Sequence, residues 1–260
     1  MNLIERCRHG LMIYNKKDIW QGKSYDTYGE YSESEVDIFR EIIRPGNAVM
    51  DVGANIGSLT LPLARLVGPG GMVVSLEPER NNFFTLCGNV AINNLRNVWC
   101  FQQAISNLSG IIDVPEIDYD NTVNFGGIEL DRDYSNASHY PVTKNTIDNI
   151  AGGEWRLIKI DVEGMEQNVL EGAAATIDRF KPIIYVEDDR EQKSGMLRDT
   201  IENMGYVMYR HEAPFFNPKN FFEYPYDVFG NIISLNLLCH HKDTPCPVDI
   251  EKFKLIAVRQ

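Results

Sequence analysis

The chain reads as an α/β protein built on a doubly wound, mostly parallel sheet with helices on both faces. Three observations lead there. Short apolar runs alternate with segments whose apolar residues recur at helical spacing. A glycine turn, Gly53 to Gly57, follows the first run. Acidic residues stand at the ends of three runs, at Glu77, Asp161 and Glu187. Repeated strand–helix units imply parallel strands covered on both sides, and such sheets bind ligands beyond the carboxyl ends of their strands.

The elements follow in order. Residues 1–31 are rich in tyrosine (Tyr14, Tyr25, Tyr28, Tyr31) and read as an N-terminal extension packed on a main domain over 32–260. Val36, Phe39 and Ile43 mark a helix capped by Ser32 or Ser34 and ended by Pro45-Gly46. Residues 48–52 make a buried strand. Leu59, Leu63 and Leu66 mark a helix with Pro62 in its first turns. Residues 72–76 form the second strand, Phe83, Leu86, Val90 and Asn94 the next helix, and 98–103 the third strand. Residues 106–145 break the rhythm and read as an edge insertion with β-like pieces at 111–117 and 123–130. The alternation resumes with a strand at 155–160. Val162, Met165, Val169, Ala173 and Ile177 then lie on one helix face, with Glu163 in its first turn. A strand at 182–186, a helix around Leu197 and Ile201, and strands at 206–209 and 232–238 complete the pattern. A late aromatic loop, 211–230, joins the last two.

Composition limits the partners. The 260 residues carry 25 basic and 37 acidic side chains, a net charge of −12. Nucleic-acid binding needs a basic footprint, so that class is disfavoured. No apolar run reaches the roughly 18–20 residues of a membrane span. Glu5, Arg6 and Arg8 interrupt the start where a secretory leader needs apolar residues, so a cytoplasmic protein is expected. The five scattered cysteines fit reduced thiols.

The first loop, Asp51-Val52-Gly53-Ala54-Asn55-Ile56-Gly57, constrains the cofactor. A dinucleotide fold wants a glycine where this chain has Asn55, so that a pyrophosphate can approach the backbone. No Lys-Ser or Lys-Thr pair follows, which excludes a Walker-type phosphate loop. Glu77 can accept hydrogen bonds from both hydroxyls of a ribose. A cofactor with nucleoside and amino-acid ends but no phosphate fits, and S-adenosylmethionine is one.

Three segments together carry a family resemblance. They are Val49 through Gly57, Leu157-Ile158-Lys159-Ile160-Asp161-Val162-Glu163-Gly164-Met165-Glu166 with Val169-Leu170-Glu171-Gly172-Ala173, and Lys181 through Glu187. The chain resembles the FkbM family of S-adenosylmethionine-dependent methyltransferases over roughly residues 28–240. The resemblance implies a class I methyltransferase (Rossmann-like) fold, usually seven-stranded with one antiparallel strand. It also implies O-methylation of a hydroxyl, often on a sugar, a glycan or a polyketide-like product. It places Asp51, Gly53, Ala54, Asn55 and Gly57 at the methionine end of the cofactor. Glu77, followed by Pro78, would serve the ribose, Gln103 and Ala104 the adenine, and Asp161 the methyl end. Glu30, in Tyr28-Gly29-Glu30-Tyr31, would close over the cofactor. Substrate choice would fall to the N-terminal segment and the insertion.

Methyl transfer to an alcohol needs alignment and a proton acceptor. Candidates are Asp161, Glu163 (equally a helix-capping acid), Glu187, Asp188 and His211. His139 in the insertion is a weaker one, and Asp189 reads as a solvated acid. Oxygen ligands from Asp161, Glu187 and Asp188 would suit magnesium. Cys239-His240-His241 with Cys246 imitates a zinc set at non-standard spacing. Asn124-Phe125-Gly126-Gly127 is either an acceptor-pocket wall or a hairpin turn. Two other functions compete with methyl transfer. One is a nicotinamide-dependent oxidoreductase, against which Asn55 argues. The other is a non-catalytic binding protein on the same fold.

Overall fold

The computed structural model describes residues 2–132, 134 and 138–258. The N-terminal segment is more regular than its composition suggests. It forms a hairpin of β1 (Asn2–Cys7) and β2 (Gly10–Asn15), then helix α1 (Gln21–Tyr28). Next come α2 (Glu33–Ile42), β3 (Ala48–Val52), α3 (Thr60–Val67), β4 (Met72–Leu76), α4 (Arg80–Ile92) and β5 (Val98–Phe101). A separate small sheet uses β6 (Gln103–Ile105), β7 (Gly110–Pro115) and β8 (His139–Asn145). The chain ends with β9 (Trp155–Ile160), α5 (Glu166–Glu171), α6 (Ala174–Phe180), β10 (Ile183–Glu187), α7 (Glu191–Asn203), β11 (Tyr206–Pro214), β12 (Ile233–His241) and β13 (Ile256–Ala257).

The main sheet runs β13-β11-β12-β10-β9-β3-β4-β5. Strands β10, β9, β3, β4 and β5 are parallel, and β12 is antiparallel to both β10 and β11. Seven strands thus carry one reversed member, as the resemblance implies. The two-residue β13 adds an eighth on the edge, antiparallel to β11. The chain leaves β3 toward β4 and later returns on its other side through β9. The switch point therefore lies at the ends of β3 and β9. One apolar layer packs around Met50, Ile158, Ile184 and Leu237, the other around Phe39, Val49, Leu63 and Leu157.

Several local expectations are corrected. The hairpin is tied to α4 by two asparagines. Asn89 accepts from Ile13 N at 2.6 Å and donates to Ile13 O at 3.1 Å, and Asn93 does the same for Leu11 at 3.0 and 2.7 Å. Each side-chain amide thus replaces a missing strand partner, which composition does not reveal. The third strand stops at Phe101, and Gln103 restarts in the small sheet. Residues 123–130 are not a strand, and Val123 makes only an isolated bridge to Asp18.

The helix expected from Val162 to Ile177 is a loop and two short helices. Glu163 (φ 56°) and Gly164 (φ 96°) are left-handed and cannot start a helix. Glu163 is therefore not in a first helical turn. Glu166 instead folds back, its carboxylate accepting from Val162 N (3.2 Å) and Gly164 N (2.9 Å). The second helix is capped from a distance by Asp148, which accepts from Thr176 N at 2.8 Å and Ala175 N at 3.1 Å. Val169, Ala173 and Ile177 still face the core, so their period is intact across the break. Strand β11 continues to Pro214 because β12 pairs with it to Ile233. The late loop starts after Pro214, and His211 lies inside the strand.

Candidate active site

A cavity of about 330 Å³ opens at the switch point, within the usual range of small-molecule sites of roughly 300–1,000 Å³. Its floor is the loop after β3. Gly53 has φ 75°, and a Cβ there would stand 1.7 Å from the carbonyl oxygen of Asp161. Only glycine lets the β3 and β9 ends approach so closely. The loop is then strapped to β4. Gly53 N and Ala54 N each donate to Leu76 O at 3.0 Å, and Asn55 N donates to Glu77 Oε2 at 2.7 Å. Three successive amides are thus already engaged. A pyrophosphate-binding loop needs such amides free, so the geometry disfavours a dinucleotide.

Glu77 lines the cavity and is buried. Its Oε1 accepts from Glu79 N at 2.9 Å. Each carboxylate oxygen keeps a lone pair, enough for two ribose hydroxyls. Pro78, Gln103, Ala104, Ile105 and Phe125 surround this end. Phe125 belongs to the insertion, and Asn82 Nδ2 holds its carbonyl at 2.9 Å. The stretch 124–126 is thus a cavity wall. The Asn55 Oδ1 atom is buried there without a hydrogen-bond partner. These features fit a nucleoside with a non-phosphate tail.

Asp161, Glu163 and Glu187 line the other end, joined by Glu35, Asp189 and Tyr31. Asp161 is 3.6 Å from Lys159 Nζ, and its side chain is 41% exposed, open to a ligand. Glu163 pairs with Arg190, which also holds Glu129 of the insertion at 2.8 Å. Glu187 Oε2 is buried without a hydrogen-bond partner. Burial, then the charges of Asp161, Asp189 and Glu163, push the Glu187 carboxyl well above the carboxylate range.

Other candidates lie off the cavity. Asp51 is fully buried behind the loop, accepting from Thr60 Oγ1 at 2.6 Å and pairing with Lys159 at 3.1 Å. It supports the floor without reaching the cavity. Ala54 and Gly57 shape the turn. Glu30 is a staple between the N-terminal segment and the late loop, bound to Arg8 (2.5 Å), Asn217 Nδ2 (2.7 Å) and Phe221 N (2.7 Å). The glutamate that does reach the cavity is Glu35, five residues later in α2, held by Ser32 Oγ at 2.5 Å. Asp188 leaves the end of β10 on the side opposite Glu187, as successive strand residues do. It is taken by Arg198 at 2.5 Å. His211 is buried against the hydroxyl of Tyr185 at 2.7 Å, and burial lowers its pKa to about 4. It is not part of the cavity wall.

Among the described residues no group of three or more His, Cys, Asp or Glu is placed to hold a metal. Asp161, Glu187 and Asp188 do not converge, and Cys239, His240 and His241 are consecutive residues of β12. The donor sets proposed for magnesium and zinc therefore do not fit.

The buried carboxyls predict a pH dependence of stability. Burial is the leading cause in each: Glu35 is pushed up to about 7, Glu77 to about 8 and Glu163 to about 8. The native state keeps these protons after the unfolded chain releases them near 4.5. Their contribution is complete below that value and is lost as pH rises through 7 to 8. His211 acts oppositely, but only between about 4 and 6.5. Between pH 6.5 and 8 the ligand-free protein is expected to lose several degrees of Tm. A melting series in one buffer ionic strength checks this, and a flat or rising profile contradicts it.

The Methyltransferase FkbM domain profile matches residues 51–208. The crystal structure of a methyltransferase FkbM from Methylobacillus flagellatus KT superposes with a TM-score of 0.51 at 19% identity, covering 78% of this chain and 50% of that one. This chain therefore spans half the length of that protein. A SAM-dependent O-methyltransferase from Thermotoga maritima gives 0.51 at 12% identity, covering 94% and 79%. A precorrin-6y C5,15-methyltransferase from Geobacter metallireducens GS-15 gives 0.51 at 13%, covering 80% and 87%. At these identities the likeness is one of fold. No curated protein matches the chain. No helix among the described residues is long and apolar enough to cross a membrane.

Proposed function

This chain belongs to the FkbM methyltransferase family, and from that premise we propose that it O-methylates a hydroxyl of a sugar, glycan or natural-product-like small molecule with S-adenosylmethionine. One observation carries the reading. The strapped loop with Glu77 and the accessible Asp161 line opposite ends of one cavity. The nucleoside would lie along Glu77, Pro78, Gln103 and Ala104, and the methionine end along Gly53 and Asn55.

When bound, the cofactor supplies an electrophilic methyl on a sulfonium. The chain must orient an acceptor oxygen toward it and remove one proton. Asp161 is assigned the proton, because it faces the cavity and Lys159 anchors it from behind. Glu163 is held by the Arg190 guanidinium and is assigned a positioning role. Trp20, Phe215 and Ile233 add apolar walls to the cavity. The absence of Lys, Arg and His from the described cavity lining supports a small-molecule acceptor over nucleic acid. Five free thiols support a reducing, cytoplasmic setting.

Calorimetry tests the cofactor assignment. S-adenosylmethionine and S-adenosylhomocysteine are expected to bind in the micromolar range and NAD not to bind. Binding of NAD alone, or of neither class by folded protein, defeats the reading.

A further inference from the structure

The charge balance of the cavity says more about the acceptor. Glu77 and Glu79 stand at the ribose end, and Glu35, Asp161, Glu163, Glu187 and Asp189 at the other. Among the described lining residues there is no basic side chain. Two cations that touch its acids, Lys159 and Arg190, are outside the lining and already shared. Lys159 is bound to Asp51 at 3.1 Å, Asp161 at 3.6 Å and the carbonyl of Gly53 at 2.8 Å. Arg190 is bound to Glu163, to Glu129 at 2.8 Å and to Asp189 at 3.8 Å.

Glu187 Oε2 is buried without a hydrogen-bond partner, whereas Glu35 accepts from Ser32 Oγ and lies in the field of Lys159. A buried carboxylate beside other acids, as Glu187 is beside Asp161, Asp189 and Glu163, stays ionised only when positive charge is brought to it. The methyl donor brings a net charge of one to an end of the cavity lined by five acids.

The same end also carries aromatic surface. Tyr31 lies in the field of Asp161, Glu35 and Glu187. Its ring meets Phe215 edge-on at 5.5 Å, and Phe215 meets Trp20 at 5.4 Å. All three line the cavity. Aromatic faces beside carboxylates are the chemistry that holds an ammonium group. A phosphorylated or nucleotide-linked acceptor would instead bring like charge against these acids.

We propose that the acceptor is a small hydroxylated amine, an amino sugar or its equivalent, whose ammonium group seats against Glu187 with Asp189 beside it. The inference rests on the methyltransferase reading of the cavity, and it adds the charge of the acceptor.

The test uses protein saturated with S-adenosylhomocysteine and three probes: glucosamine, N-acetylglucosamine and glucose 6-phosphate. Glucosamine is expected to bind at least about tenfold more tightly than N-acetylglucosamine, the scale of one desolvated charge contact. The phosphate is expected not to bind. Glu187→Gln should remove the preference while S-adenosylhomocysteine still binds. Equal affinity for the two sugars, preference for the phosphate, or binding of none of them overturns the proposal, as does an unchanged preference in Glu187→Gln. Failure to bind S-adenosylhomocysteine in the first step strikes the methyltransferase reading instead.

Discussion

Asp161→Asn is expected to lower kcat by about 10²-fold or more, within the roughly 10²–10⁴-fold range of a positioned acid or base. The substitution keeps the size of the side chain and its hydrogen-bonding reach. It removes the one property assigned to it, the capacity to take a proton. Its side chain is substantially exposed, so the fold should not depend on it. Lys159 also holds Asp51 at 3.1 Å and Gly53 O at 2.8 Å, so its anchoring does not rest on Asp161. A melting curve close to that of the parent would accompany the loss. The cofactor contact is read separately, as a change in the Kd of S-adenosylhomocysteine. Unchanged turnover would remove Asp161 from the chemistry and leave the proton acceptor to be sought at Glu187.

Lys159→Met is expected to be the most destabilising of the site substitutions. The ammonium group is buried in the floor beneath the loop. Burial alone would lower its pKa, but the charges of Asp51, Asp161 and Glu35 outweigh that and hold it protonated. Methionine replaces the stem and leaves the fully buried Asp51 with Thr60 as its remaining anchor. Breaking a buried ion pair from one side costs about 3–5 kcal/mol. For a chain of this size that lowers Tm by about 5–10 °C. The double variant Lys159→Met with Asp51→Asn should recover part of the loss, because the stranded charge is gone. A single variant within about 1 kcal/mol of the parent would show that the pair does not hold the floor.

Legibility differed between residues for identifiable reasons. Strands 48–52, 72–76 and 155–160 were plain because strands buried on both faces are continuous apolar runs. Glu77 and Asp161 stood out because the fold class itself says where strand ends must meet a ligand. Glu30 was the wrong glutamate. It and Glu35 lie five residues apart, and only the path of the chain into α2 tells which one turns inward. Arg190 and Lys159 escape a sequence reading of the site because the partners that fix them, Glu129 and Glu163 for one and Asp51 and Gly53 for the other, are remote in sequence. Arg190 reaches Glu163 and Glu129 across 27 and 61 positions. His211 and Asp188 had suitable chemistry, but strand pleat and register turned them away from the cavity.

The sequence by itself determined the alternating architecture, the glycine loop and the family to which the chain belongs, since these depend on local periodicity and on residue types at fixed spacing. The tertiary structure alone decided which carboxylates share a cavity and which are spent on Arg198, Arg8 or Lys159. It also decided that the insertion and the N-terminal segment complete its walls. Those outcomes depend on distances between residues far apart in the chain, set by packing and strand register, and no local pattern encodes them.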